Sequence, residues 1–121
     1  MTKLLQISFF ICLISIEYLA TTSTSIPIIE NSWDKVNHLI AFFVLYILLY
    51  SGFKIFTTLG KISLLLVFAV QIEIVQYFIP NRYFSLLDIV ADGIGIVIAI
   101  FVINFYNKYI KVKDTGYLSS Y

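Results

Sequence analysis

The chain has 121 residues, a net charge of +1, 60% hydrophobic and only 12% charged residues. A soluble domain of this length carries roughly 25% charged residues to cover its surface, so the composition points away from a globule in water and toward apolar helices in a bilayer. No basic stretch is interleaved with aromatics, which removes nucleic acid as a partner. The single cysteine, Cys12, lies among apolar residues and fits neither an internal disulfide nor a metal spacing.

The first apolar run covers residues 4–20, "LLQISFFICLISIEYLA". Lys3 precedes it, as in a signal peptide, but Tyr18 occupies the −3 position relative to Ala20 and Glu17 interrupts the run. A cleavage site wants small residues there, so a retained helix is expected. The Ser/Thr cluster and Pro27 of "TTSTSIPIIENSWDK" then predict a break. Trp33 marks an interface, and Asn31 or Ser32 is the expected cap of a second helix over residues 36–53, with Asp34 near its start. Gly52, Lys54 and "TTLGK" separate it from a third helix at 61–79, which Pro80 stops. "PNRYF" is a tight turn, residues 84–107 form the fourth helix, and 108–121 form a basic tail. Each run is long enough to cross a bilayer, for which roughly 20 residues suffice.

The fold expected is an all-α membrane protein, a bundle of four transmembrane helices. Lysine placement orients it. With the N-terminus cytoplasmic, Lys3, Lys54, Lys61, Lys108, Lys111 and Lys113 lie inside and only Lys35 and Arg82 outside. Both termini are therefore expected on the cytoplasmic side.

In this topology the ionisable residues gather at one depth, near the outer leaflet. Asp34, Lys35 and His38 begin helix two, Glu73 and Gln76 end helix three, Asn81 and Arg82 occupy the turn, and Asp88 and Asp92 begin helix four. Glu17 joins them by depth. Asp34 and His38 are four apart, Glu73 and Gln76 three apart, and Asp88 and Asp92 four apart, so each pair shares a helical face. Such side chains are costly in hydrocarbon and should turn toward one another or toward a wet cleft. Gln71 lies roughly opposite Glu73, and an interhelical hydrogen bond is its expected use. Ala91, Gly95 and Ala99, with Gly93 beside them, are small residues suited to close helix packing.

"DKVNH" (Asp34, Lys35, His38), "EIVQ" (Glu73, Gln76) and "RYFSLLDIVADGIG" (Arg82, Asp88, Asp92, Gly93, Gly95), in that order, resemble the VanZ-like family. The resemblance covers residues 34 to about 100; Asp92 stands where members often carry Asn. It implies a bacterial membrane protein with a site at the cell surface. The founding member is linked to low-level resistance to the glycopeptide teicoplanin, which the resemblance does not transfer to this chain.

Three functions compete on these residues. One is an enzyme or envelope-modifying factor acting on a cell-envelope lipid or glycan. In it Glu73, the deepest carboxyl of helix three, is the candidate base, His38 shuttles a proton and Asp88 completes the catalytic group. Asp34, Lys35, Gln76, Arg82 and Asp92 are the candidate ligand-binding residues, with Arg82 and Lys35 suited to a phosphate or carboxylate. The second is a binding or structural protein whose polar residues form an interhelical ion-pair network. The third, a metal site on His38, Glu73, Asp88 and Asp92, is disfavoured by the single histidine and by the intruding Lys35 and Arg82. No metal or cofactor is assigned, and membrane lipids are the expected surroundings. A transporter is disfavoured because the inner halves of the helices carry no polar path.

Overall fold

The structure, a computed structural model, describes residues 2–21, 27–79 and 85–111, with the backbone alone described for 27–34 and 111. It is all-helical over those residues: α1 (Thr2–Thr21), α2 (Pro27–Gly52), α3 (Thr58–Tyr77) and α4 (Leu86–Tyr106), the last running into a π-helical turn, Asn107–Lys111. All four helices are long and apolar enough to cross a membrane. The chain is a multi-pass membrane protein, and its outward faces agree with this. Ile14, Val67, Val70, Val97 and Phe101 are exposed along the inner stretches of their helices. Water would not tolerate so much contiguous apolar surface.

Helix two departs from expectation. It begins at Pro27, not at residue 36, so Asn31, Ser32 and Trp33 lie inside the helix and neither Asn31 nor Ser32 caps it. Proline breaks a helix only from the interior. At the first helical position its missing N–H has no intrahelical acceptor to lose and its fixed φ suits the helix. The turn expected at 80–84, with Asn81 and Arg82, lies outside the described residues, as does the tail from 112.

Capping defines the other starts. The Thr57 hydroxyl accepts from the Gly60 amide at 3.0 Å and opens α3. The Ser85 hydroxyl accepts from the Asp88 amide at 3.3 Å and opens α4. Each satisfies one of the orphan amides of a first turn.

Interhelical hydrogen bonds set the up-and-down order. At one end, Gln6 on α1 donates its side-chain amide to the Gly52 carbonyl of α2 at 2.8 Å, and Asn107 donates to the Tyr50 hydroxyl at 3.1 Å. At the other end, Gln76 of α3 donates to the Ala20 carbonyl of α1 at 2.9 Å. Between them lies an apolar core of Phe9, Phe42, Leu45, Leu49, Leu65, Ala69, Ile72, Ile96 and Ala99. Lipid tails are as apolar as these side chains, so close packing holds the helices rather than escape from water.

The most extensive pairing is α2 against α4. The α4 residues that are buried, Asp88, Ala91, Asp92, Gly95, Ile96 and Ala99, form one stripe at steps of three and four. Gly95 lets the backbones touch: a β-carbon there would run into the Leu39 carbonyl of α2. Gly93, grouped with Gly95 on sequence as a packing position, is not one, because a β-carbon at Gly93 meets nothing within 4 Å. Two residues along a helix is about 200° of rotation, which turns Gly93 away from α2.

Candidate functional site

Close contact at Gly95 brings the polar starts of α2 and α4 together one turn away. Asp92 lies three residues before Gly95 and His38 immediately precedes Leu39. His38 Nδ1 sits 2.8 Å from Asp92 Oδ1, a short hydrogen bond, and His38 Nε2 sits 3.7 Å from Asp88 Oδ2. The imidazole is thus held between two carboxyls of one helix face, a turn apart. Lys35, one turn before His38, places its ammonium 3.7 Å from Asp88 Oδ1 and remains partly exposed. Asp88 also lies in the first turn of α4, where a negative charge meets the positive end of the helix dipole.

The third wall is α3. Glu73 is fully buried, and its carboxyl abuts that of Asp88, with His38 and Asp92 within electrostatic reach. Among the described residues no donor reaches either Glu73 oxygen. Its contact is carboxyl against carboxyl, which supplies a hydrogen bond only when one partner carries a proton. The arrangement suits acid–base work: a facing Glu73–Asp88 pair able to share a proton, and an imidazole touching Asp88 on one nitrogen and Asp92 on the other. Among the described residues, no three carboxyl, imidazole or thiol groups are arranged to hold one metal ion.

Of the residues singled out on sequence, the structure brings Lys35, His38, Glu73, Asp88 and Asp92 into one cluster built from α2, α3 and α4. Gln76 is buried beside it on α3, and its amide braces the end of α1 at Ala20. Asp34 lies one turn before His38 on α2, with its side chain outside the described residues, and Arg82 lies outside them altogether. Glu17 is not in the cluster. Its Oε1 accepts from Gln71 Nε2 at 2.9 Å, a bond between α1 and α3 that accounts for both residues.

Two polar features were not among the sequence candidates. Ser85 caps the helix that presents Asp88, and an Asp three residues after a Ser at a helix start is a readable capping signal. Lys61, counted only as a marker of orientation, is buried at the opposite end of the bundle.

The model of the VanZ/LLP1 family matches residues 4–107, a span that holds all four helices but not the tail. No curated protein and no solved structure matches the chain. A family match over most of the sequence, together with the membrane helices and the ordered motifs that build the cluster, places the chain in the VanZ/LLP1 family.

Proposed function

We propose that this chain is a protein of the bacterial cytoplasmic membrane whose polar cluster faces the cell surface and binds or acts on a cell-envelope lipid or glycan. Both termini are cytoplasmic in this reading. Six lysines favour that side, Lys3, Lys54, Lys61, Lys108, Lys111 and Lys113, against Lys35 and Arg82 at the cluster's end. The observation that carries the reading is the Glu73 carboxyl, fully buried and, among the described residues, with no donor to either oxygen. A buried polar group left without a partner costs about 1–3 kcal/mol. A cluster serving only helix register gains nothing from that cost, whereas a ligand hydroxyl, amine or water in transit supplies the missing donor. Glu73 acts as the base or proton-sharing group, with Asp88 and His38 as its proton relay. Lys35, Asp92, Asp34, Gln76 and Arg82 frame the ligand. An effect on glycopeptide susceptibility follows if the ligand is a wall precursor.

Gentle extraction followed by native mass spectrometry tests this reading. The wild-type chain retains an envelope lipid or glycan adduct, and Asp88→Asn with Lys35→Ala loses it. A wild-type chain that carries only bulk membrane lipid, bound equally by the variant, overturns it.

The second reading, an ion-pair network that locks helices together, has its own support in the 2.8 Å His38–Asp92 bond and the Lys35–Asp88 pair. It leaves Glu73 without a role.

A further inference from the structure

Lys61 is buried to 6% exposure, a rare state for a lysine. It lies in the first turn of α3, and that turn carries no acidic residue. A cation near the positive end of a helix dipole is disfavoured. Its ammonium sits 4.6 Å from the centre of the Tyr50 ring and 5.8 Å from that of Tyr46. Lys54 places a second ammonium 5.0 Å from the centre of the same Tyr50 ring. Two like charges are thus gathered on one phenol. Ring contacts of this kind are worth roughly 0.5–2 kcal/mol, but a ring face accepts none of an ammonium's hydrogen bonds as an oxygen does. The Tyr50 hydroxyl accepts from Asn107 at 3.1 Å, which leaves its own proton to donate. Every described acidic residue belongs to the opposite end of the bundle, around the closes of α1 and α3 and the starts of α2 and α4. Donors from α2, α3 and the loop between them converge here without an anion.

We propose that Lys61, Lys54 and the Tyr50 hydroxyl form a second site, at the opposite end of the bundle from the carboxyl cluster, that takes a phosphate group. The group is either the headgroup phosphate of an anionic lipid or a free phosphate. The buried Lys61 gives a fixed charge beside the α3 N-terminus, the exposed Lys54 closes over it, and Asn107 orients the phenol. Two ammoniums and one hydroxyl can together engage all the free oxygens of a phosphodiester. This site is independent of the carboxyl cluster and of any chemistry there.

Thermal unfolding of the purified full chain in neutral detergent tests it. Four additions are compared: phosphatidylglycerol, diacylglycerol with the same chains, sodium phosphate, and sodium chloride at equal ionic strength. Phosphatidylglycerol is expected to raise the midpoint saturably, and diacylglycerol and chloride to leave it in place. If sodium phosphate raises it too, a free phosphate is a ligand in its own right; if it does not, the lipid headgroup is the source. In either case Lys61→Gln and Lys54→Gln each weaken the apparent affinity at least tenfold, and Lys61→Arg retains it. Lys54 is exposed, so Lys54→Gln reports even where Lys61→Gln fails to fold. No shift with phosphatidylglycerol or phosphate, or a shift that Lys54→Gln leaves whole, overturns the proposal.

Discussion

Two glycines on one helix offer a matched test of how the cluster is assembled. Gly95→Ala places a β-carbon into the α2 backbone: besides the Leu39 carbonyl oxygen, it meets Leu39 C at 3.1 Å and Leu39 Cα at 3.2 Å. Ordinary carbon contacts lie near 3.5–4.0 Å. A side chain could swing aside, but a helix backbone cannot, so α4 must move away from α2. Overpacking of this kind costs roughly 1–3 kcal/mol. The displacement also stretches the 2.8 Å His38–Asp92 bond one turn away, and a hydrogen bond to a charged group is worth about 1.5–3 kcal/mol. Together these predict a loss of roughly 2.5–6 kcal/mol, the sum of the two. Gly93→Ala is the control. Nothing lies within 4 Å of the added methyl, and replacing a helical glycine by alanine stabilises by roughly 0.5–1 kcal/mol. Reversible unfolding of the two purified variants in mixed micelles, titrated with a denaturing detergent, measures both. Opposite signs are expected. A Gly95→Ala chain as stable as the wild type, or two variants shifted alike, would refute the close α2–α4 contact on which the cluster depends.

Other expectations follow from the same contacts. Glu73→Met, which removes a buried carboxyl with no donor among the described residues, should raise stability by about 1–3 kcal/mol in the same assay; a loss of that size would mean that Glu73 is satisfied in the folded protein. A double-mutant cycle on His38→Ala and Asp92→Ala should give a coupling of roughly 0.5–3 kcal/mol, and a value near zero would separate the two side chains. Gln76→Ala removes the brace to Ala20 and should cost about 0.6–2 kcal/mol, the range for interhelical bonds in membranes; no measurable change would show that bond to be idle. For orientation, a Cys12→Ala background carrying Trp33→Cys should label with a membrane-impermeant maleimide from outside the cell, and one carrying Lys54→Cys should not. The reverse pattern would put the carboxyl cluster on the cytoplasmic side.

Much of this architecture is legible in the sequence because a bilayer enforces simple rules. Four apolar runs appear as four helices, since a single run of about 20 residues satisfies its own backbone in hydrocarbon only as a helix. Asp88 and Asp92, four apart, lie on one buried face as the helical period requires. What was not legible depends on which face meets which neighbour. Pro27 signals a break, but only the structure shows it opening α2. Gly93 and Gly95 are the same residue type in the same helix, and their opposite surroundings follow from where α2 lies. Glu17 and Gln71 are far apart in sequence and meet only because α1 and α3 are neighbours. Lys61 carries no local sign of burial, because the Tyr46 and Tyr50 rings that cover it come from another helix. Depth is readable from hydropathy; azimuthal pairing between helices is not.

Stability and function should part company at Glu73, and that separation tests the central claim most directly. A strain producing the wild-type chain, one producing Glu73→Gln at equal membrane abundance and one lacking the protein would be compared for teicoplanin susceptibility, with unfolding measured on the same two proteins. If the ligand is a wall precursor, as proposed, the wild-type chain shifts susceptibility, and Glu73→Gln is expected to match the strain lacking the protein while unfolding no more readily than the wild type. A Glu73→Gln strain that retains the full wild-type shift in susceptibility would contradict it and leave the carboxyl cluster as a structural lock between helices.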